Sequence, residues 1–274
     1  MVGVNTMTVI SYNSIKGGVG KSTLAILTAR CLGACGMRVL VIDLDINNAT
    51  SFFFLNEETQ ERSNEKNIAK ALFSSGNVNL NDYIMLTDWR GVDVIPSSLD
   101  LLKLQGSLSE RRLKQLLPSI ENEYDVVILD THPDYTAVEK NALLASDLII
   151  TPIQRAQFDY NTAHFLKDSL IADMEKFNSW FLCFNGYDKN FEKAKGGKQK
   201  EYIELFRSSF GDNLTPVNTW LPDTPAVQDL LDRDMLLSEN KRDSKTVCHE
   251  KLFNSIWNLC SAYFDNPLIK PEVF

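Results

Sequence analysis

A doubly wound α/β sheet, mostly parallel and with helices on both faces, is the fold class this sequence predicts. Three observations predict it. Short apolar strands alternate with helical stretches along the chain. A glycine-rich turn separates the first strand from the first helix. The run Asp125–Asp130 (DVVILD) is apolar nearly throughout, as a central strand covered on both faces must be.

The elements follow in order. Thr8–Asn13 (TVISYN) is a β-branched strand running into the glycine turn, and Lys21–Cys35 carries Leu24, Leu27, Thr28, Cys31 and Cys35 at helical spacing until Gly36 stops it. Arg38–Asp43 (RVLVID) is the next strand, so residues 8–43 form one βαβ unit with a right-handed crossover. Further strands are expected at Val92–Pro96, Asp125–Asp130, Leu148–Pro152, Trp180–Phe184 and Val217–Leu221, with a helical stretch at Asp159–Phe177. Asn56–Asn67 is polar and reads as a surface excursion, and Asp188–Lys200 as a Lys-rich loop around Gly196–Gly197. A C-terminal helix, Ser244–Phe264, places Cys248, Leu252, Ile256, Leu259 and Tyr263 on one stripe to pack on the sheet. Neither a domain linker nor an internal repeat interrupts the pattern, so residues 1–274 are expected to form a single domain.

Composition narrows the function classes. Hydrophobic residues make up 44% and charged residues 23% of the 274, which excludes disordered and fibrous chains. No apolar run reaches the ~20 residues of a membrane span, and MVGVNTMTVI lacks a signal-peptide pattern, so a cytoplasmic protein is expected. Five scattered cysteines without a C-x-x-C pair read as free thiols. A net charge of −8 argues against coating nucleic acid with the whole surface, so any DNA contact must be a local basic patch.

The chemistry is concentrated at Lys16-Gly17-Gly18-Val19-Gly20-Lys21-Ser22-Thr23, between the first strand and the first helix. Glycines let several backbone N–H groups converge on an anion, the helix N-terminus adds partial positive charge, and Lys21 reaches the terminal phosphates. Ser22 would place its hydroxyl on Mg²⁺. The strict G-x-x-x-x-G-K-[ST] pattern is broken by Ile15 at its first position, and a second lysine, Lys16, is present instead.

In this loop the sequence resembles the deviant Walker A group of P-loop NTPases, the ParA and MinD ATPases, whose loop reads x-K-G-G-x-G-K-[ST]. The resemblance implies an ATP- and Mg²⁺-dependent ATPase in which Lys16 and Lys21 are catalytic, with Lys16 acting across a dimer interface. It implies that Asp45 of Asp43-Leu44-Asp45 orients the attacking water and that Asp43 supports Mg²⁺ and its waters. Asp130 matches the Walker B carboxylate that holds a Mg²⁺-bound water. Where relatives continue with Pro-Gln-Gly-Asn-Ala-Thr, this chain has the shorter Ile46-Asn47-Asn48-Ala49-Thr50. Thr131-His132-Pro133-Asp134 stands where relatives have a turn with one or two prolines. A His132–Asp134 acid/base pair is disfavoured, since Asp134 suits an N-cap and Thr136-x-x-Glu139 reads as a capping box. His164 and His249 read as surface or packing histidines. Asn185 and Pro222 are expected to enclose adenine.

The function implied is plasmid or chromosome partition by a short ParA-type protein without an N-terminal helix-turn-helix. An ATP-bound homodimer would bind DNA non-specifically, associating with the nucleoid, and would be stimulated by a ParB-like centromere-binding partner. The expected DNA patch is Lys189, Lys193, Lys195, Lys198 and Lys200, extended by Arg207. The alternative is a MinD-like or cargo-positioning ATPase acting on a membrane or protein assembly. Leu268–Phe274 lacks the basic amphipathic character of a membrane-targeting helix, and the stretch directly after Asp130 contains no cysteine to suggest the iron–sulfur or metalloid branch.

Overall fold

The computed structural model describes residues 7–104, 108–154, 156–174, 176, 179–186, 198–222, 244–262, 264 and 268–271. Seven strands are present among them: β1 (Thr8–Tyr12), β2 (Val39–Leu44), β3 (Met85–Leu86), β4 (Val92–Ile95), β5 (Val126–Thr131), β6 (Leu148–Ile153) and β7 (Trp180–Phe184). Their order is β3-β4-β2-β5-β1-β6-β7, the mostly parallel, doubly wound arrangement expected of a P-loop NTPase. The chain divides into two compact units, residues 1–17 with 21–149 and residues 18–20 with 150–274.

In the first unit β5 lies between β1 and β2, parallel to both, and every residue of Val126–Thr131 is buried. This is why its sequence is apolar without alternation. The register sets Asp130 beside Tyr12 on one side and Asp43 on the other, so two acidic residues share the carboxyl edge of the sheet. α1 (Lys21–Ala34) returns the chain from β1 to β2, with Leu24, Ala25, Leu27, Cys31 and Leu32 buried. α2 (Ala49–Phe54), α3 (Glu57–Arg62) and α4 (Ile68–Phe73) follow β2. Later come α5 (Arg112–Leu116) and α6 (Ala137–Ala145), which flank β5 in sequence. Ile68, Leu72, Leu101, Leu113, Ile120 and Val138 bury against Leu40, Ile42 and Leu129 of the strands.

The second unit is built on aromatic packing. Trp180 of β7 donates its indole N–H to Thr151 Oγ1 at 2.9 Å, and Phe184 meets Phe206 and Trp220 with ring centroids 5.4 and 4.5 Å apart. Tyr160 and His164 of α7 (Gln157–Ser169) close on Phe210, which makes His164 a packing histidine, as expected.

Several elements differ from expectation for local reasons. Val217–Leu221 is not a strand: Val217–Thr219 is a 3₁₀ turn, because Thr219 N–H and Oγ1–H both donate to Pro216 O at 2.9 and 2.6 Å. A threonine that bonds its own neighbourhood withdraws from a ladder. The C-terminal helix, Ser244–Ser261, buries Leu252, Ile256 and Leu259 and packs on this turn, with Asn258 Nδ2 donating to Asn218 O at 3.0 Å. Asn56–Asn67 is more ordered than a surface excursion. Asn56 caps α3 through Thr59 N–H at 3.0 Å, and Asn67, buried, caps α4 through Lys70 N–H at 3.1 Å. α7 ends at Ser169 and passes into a π turn, Leu170–Met174. The antiparallel edge strand β3 has two residues, too few for a periodic signal.

Candidate functional site

The loop from Lys16 to Ser22 has the backbone of an anion cradle. Gly18 and Gly20 adopt φ of +72° and +97°, the left-handed region where glycine carries no steric cost. At Gly20 a Cβ would also lie 2.2 Å from Asn185 Nδ2, which donates to Val19 O at 2.7 Å. Asn185 is thus placed against the loop backbone. Pro222 follows Leu221, whose N–H donates to Phe184 O at 2.9 Å at the end of β7. α1 opens directly from the loop with no acidic residue of its own in its first turn. Ser22 and Thr23 are half-buried in that turn, and Val19 of the loop is buried.

Lys21 is 5% exposed, with Nζ 3.4 Å from Lys16 O, and it faces Asp130, Asp45 and Glu139. Burial pulls its pKa below the usual lysine value, and the three carboxylates oppose that shift. Asp43 is bonded at both oxygens: Oδ1 accepts from Asp45 N–H at 3.0 Å, and Oδ2 from Ser51 N–H and Oγ–H at 2.8 and 2.6 Å. Asp130 accepts from Thr50 Oγ1 at 2.6 Å on Oδ2, while its buried Oδ1 has no hydrogen-bond partner among the described residues. An unpartnered oxygen in a buried carboxylate beside a serine hydroxyl fits a Mg²⁺ ion held through its waters, since hard cations take oxygen ligands and Mg²⁺ keeps much of its shell.

α2 supplies the two hydroxyls that hold these carboxylates, and it is fixed from below. Phe53 stacks on Trp89 at 5.1 Å, and the buried Arg30 guanidinium of α1 lies 4.6 Å from the Trp89 ring. Burial lowers the Arg30 pKa to about 10. Before α2 the backbone turns through Asn48 at φ +57°, the only non-glycine residue with positive φ among the described residues. This is where the shortened loop after Asp45 folds back into helix.

Asp45 stands at the start of this loop and is 6% exposed. Its Oδ1 accepts from Asn47 N–H and Asn47 Nδ2, each at 2.9 Å, and from His132 Nδ1 at 2.9 Å. The His132–Asp45 contact spans 87 positions and leaves no local signal in the sequence. Asp134 instead accepts from Tyr135 N–H at 2.7 Å, and Thr136 is the N-cap of α6, with its N–H bonded to Glu139 Oε2 at 3.0 Å. The capping box is therefore present, but Asp134 is not the cap.

Asp43 and Asp130 both have pKa values raised above the usual carboxylate range by burial, and their mutual proximity adds to the shift on Asp43. A raised folded-state pKa means that the folded protein binds more protons than the unfolded chain. Stability from this source is present at low pH and is lost as pH rises from the unfolded value near ~4 through the folded values. Between about pH 5 and 8 the nucleotide-free protein is expected to melt progressively lower. Saturating Mg²⁺-nucleotide should flatten that slope by neutralising the pair. Thermal melts across this range, with and without ligand, check it, and a nucleotide-free melting temperature that rises with pH would contradict it.

Of the expected DNA patch, Lys189, Lys193 and Lys195 lie outside the described residues, and so does the Lys198 side chain. Lys200 is exposed on the helix Lys198–Phe210 with Glu204 at 3.9 Å, and Arg207 lies over Trp220 at 5.6 Å. Cys31, Cys183 and Cys260 are buried free thiols and Cys35 is partly buried. His249 carries no described side chain. Among the described residues no helix is long and apolar enough to cross a membrane.

The model of the AAA domain family matches residues 7–178, more than half of the chain and all of the phosphate-loop machinery. The chain belongs to this ParA-type AAA domain family. It is 34% identical over 152 residues to the sporulation initiation inhibitor protein Soj of Bacillus subtilis, a match covering 53% of this chain and 58% of Soj. The chain therefore spans little more than half the length of that relative. Among solved structures it is similar to a Borrelia burgdorferi B31 protein assigned to plasmid partition and bound to AMPPNP, with TM-score 0.71 and 23% identity over 92% of this chain and 99% of that one. The pNOB8 ParA structure bound to nonspecific DNA has TM-score 0.65 and 23% identity, covering 93% and 96%. At these identities the two structures establish the fold.

Proposed function

We propose that residues 1–274 work as one Mg²⁺-dependent ATPase domain of the DNA-partition type, acting in the cytoplasm and cycling between a nucleotide-dependent dimer on DNA and a monomer. One observation carries the reading. Lys21, Asp45 and Asp130 converge at the carboxyl ends of β1, β2 and β5, and Asp45 and Asp130 each keep one carboxylate oxygen without a described hydrogen-bond partner. Bound AMPPNP in the Borrelia relative and nonspecific DNA in pNOB8 ParA support the ligand classes.

In this reading the backbone of Gly17–Gly20 and the start of α1, with Thr23, hold the phosphates, and Lys21 neutralises them. Ser22 and Asp130 hold Mg²⁺, with Asp43 fixing the strand end beside them. The ion supplies charge neutralisation on the phosphate oxygens. Asp45 orients the attacking water through the oxygen that its other hydrogen bonds leave open. Asn185 and Pro222 border the base. Lys16 acts on the nucleotide of the partner in the dimer, because a second lysine on the same phosphates as Lys21 would be redundant. Phosphoryl transfer needs positioning and charge more than covalent chemistry, so unstimulated turnover well below ~1 s⁻¹ is expected until a ParB-like partner binds.

The test is Asp45→Ala. This protein is expected to bind Mg²⁺-ATP as wild type does, to dimerise with it, and to fail to hydrolyse it. Mixing it with a Lys16→Ala protein should restore partial turnover through mixed dimers. The ATP-locked dimer should bind duplex DNA of any sequence, with log K falling linearly in log salt. Replacing Lys195 and Lys198 by Glu should reduce that slope by ~1 per lysine removed. Wild-type turnover in Asp45→Ala would sink the ATPase assignment. No DNA binding at low salt would move the protein to the positioning of a non-DNA cargo.

A further inference from the structure

Asp45 Oδ1 carries three hydrogen bonds and Oδ2 none from the described residues, and the three are not equivalent. Two come from Asn47, two residues along the same loop, and move wherever the loop moves. The third comes from His132 Nδ1, two residues beyond Asp130. His132 is therefore the single donor that ties this carboxylate to something outside its own loop. The neighbouring Pro133 ring lies over the phosphate loop, because a Cβ on Gly17 would sit 3.7 Å from Pro133 Cγ. The pair His132–Pro133 thus touches the water-orienting carboxylate with one residue and the phosphate cradle with the next.

We infer that His132 is a positioning residue for hydrolysis: its Nδ1–H holds Asp45 Oδ1 so that Oδ2 alone is presented to water. The inference rests on the ATPase reading for its rate consequence. The chemistry of the pair fixes the tautomer, since an ionised carboxylate only accepts and the imidazole nitrogen facing it must carry the hydrogen. The imidazole side chain is 27% exposed against 9% for the Asp45 side chain, so the bond is shielded on the carboxylate side and holds one geometry. His132 thus supplies from the end of β5 a donor to Asp45 that the short Ile46–Thr50 loop supplies only through Asn47. That loop reaches α2 through left-handed Asn48, and its only described hydrogen bonds to the Asp45 carboxylate come from Asn47.

Three substitutions separate positioning from packing. His132→Asn places an amide nitrogen near the Nδ1 position, His132→Gln carries its amide one bond further out, and His132→Ala removes the donor. ATP affinity, measured with a fluorescent nucleotide, should be unchanged in all three. Turnover should fall about 10-fold or more in His132→Ala and His132→Gln and recover most of the way in His132→Asn, as expected when a reacting group is misaligned by a fraction of an ångström. The second readout needs no turnover: nitrogen-15 spectra of the three imidazoles in nucleotide-free protein, where the signal lost in His132→Asn should show the Nδ1-protonated form and should change in Asp45→Asn. Wild-type turnover in His132→Ala, an Asn variant no better than Gln, or an Nε2-protonated His132 would each overturn the inference. Wild-type protein that binds but never hydrolyses ATP would overturn the ATPase reading instead, and the imidazole spectrum would still decide whether His132 holds Asp45.

Discussion

Lys21→Ala is expected to lower the affinity for ATP by about 10²–10⁴-fold. Two charge-assisted contacts to phosphate oxygens, at ~1.5–3 kcal/mol each, account for that range. The burial of Lys21 raises the stakes, because a 5% exposed ammonium is poorly hydrated and its interactions with bound anions are screened little by solvent. Its three carboxylate neighbours, Asp130, Asp45 and Glu139, would also be left without their cation, so the empty site would repel the polyanion that the wild type attracts. Lys21→Arg should not rescue binding: the wider guanidinium must fit where Nζ lies 3.4 Å from Lys16 O. Calorimetric titration with ATP and Mg²⁺ decides this. Affinity within 10-fold of wild type would mean that Lys21 is a structural cation. The contrast with Asp45→Ala, which keeps binding and loses cleavage, separates holding phosphate from orienting water.

Most of this site is legible in the sequence because it is built from contiguous chemistry. Lys16–Thr23 is one loop, Asp43 and Asp45 close one strand, and Asp130 closes another; apolar runs place all three at sheet edges. What sequence hides is pairing at long range. His132 and Asp45 are 87 positions apart, and only the parallel register of β2 with β5 brings their strand ends together. Local spacing offers only Asp134 as a partner for His132, a pair that the capping pattern disfavours, and it gives no sign of Asp45. The same holds for Ser51, whose hydroxyl bonds Asp43 and also accepts from Ser97 N–H at 3.0 Å. A serine after a short polar loop carries no signal for that role. Among the fold elements, Val217–Leu221 misleads because a β-branched run satisfies either a ladder or a local turn, and the bonds to Pro216 decide for the turn.

Gly33→Ala is expected to destabilise the protein by about 1–3 kcal/mol, although helix propensity alone predicts a gain of ~1 kcal/mol for removing a mid-helix glycine. Gly33 is buried in α1, and a Cβ there would lie 2.4 Å from Arg90 O and 2.9 Å from Val92 Cγ2. The carbonyl cannot retreat easily. The next residue, Gly91, sits at φ +70°, would itself place a Cβ 2.7 Å from Met37 O, and gives its own carbonyl to Val39 N–H at 2.8 Å. Two glycines therefore set how closely α1 approaches the turn into β4, and relief of the clash has to come from moving the helix. Because α1 begins with Lys21, that movement reaches the phosphate loop about 18 Å away along the same rigid element. Gly36, which ends the helix at φ +88° with open space around it, provides the control: Gly36→Ala carries the left-handed backbone cost of ~1 kcal/mol without a clash. Thermal and urea unfolding should rank wild type above Gly36→Ala and Gly36→Ala above Gly33→Ala, with the last melting about 2–10 °C lower than wild type. A Gly33→Ala protein as stable as wild type would show that α1 slides freely over the Arg90–Gly91 turn, and the close glycine contact would then have no part in positioning Lys21.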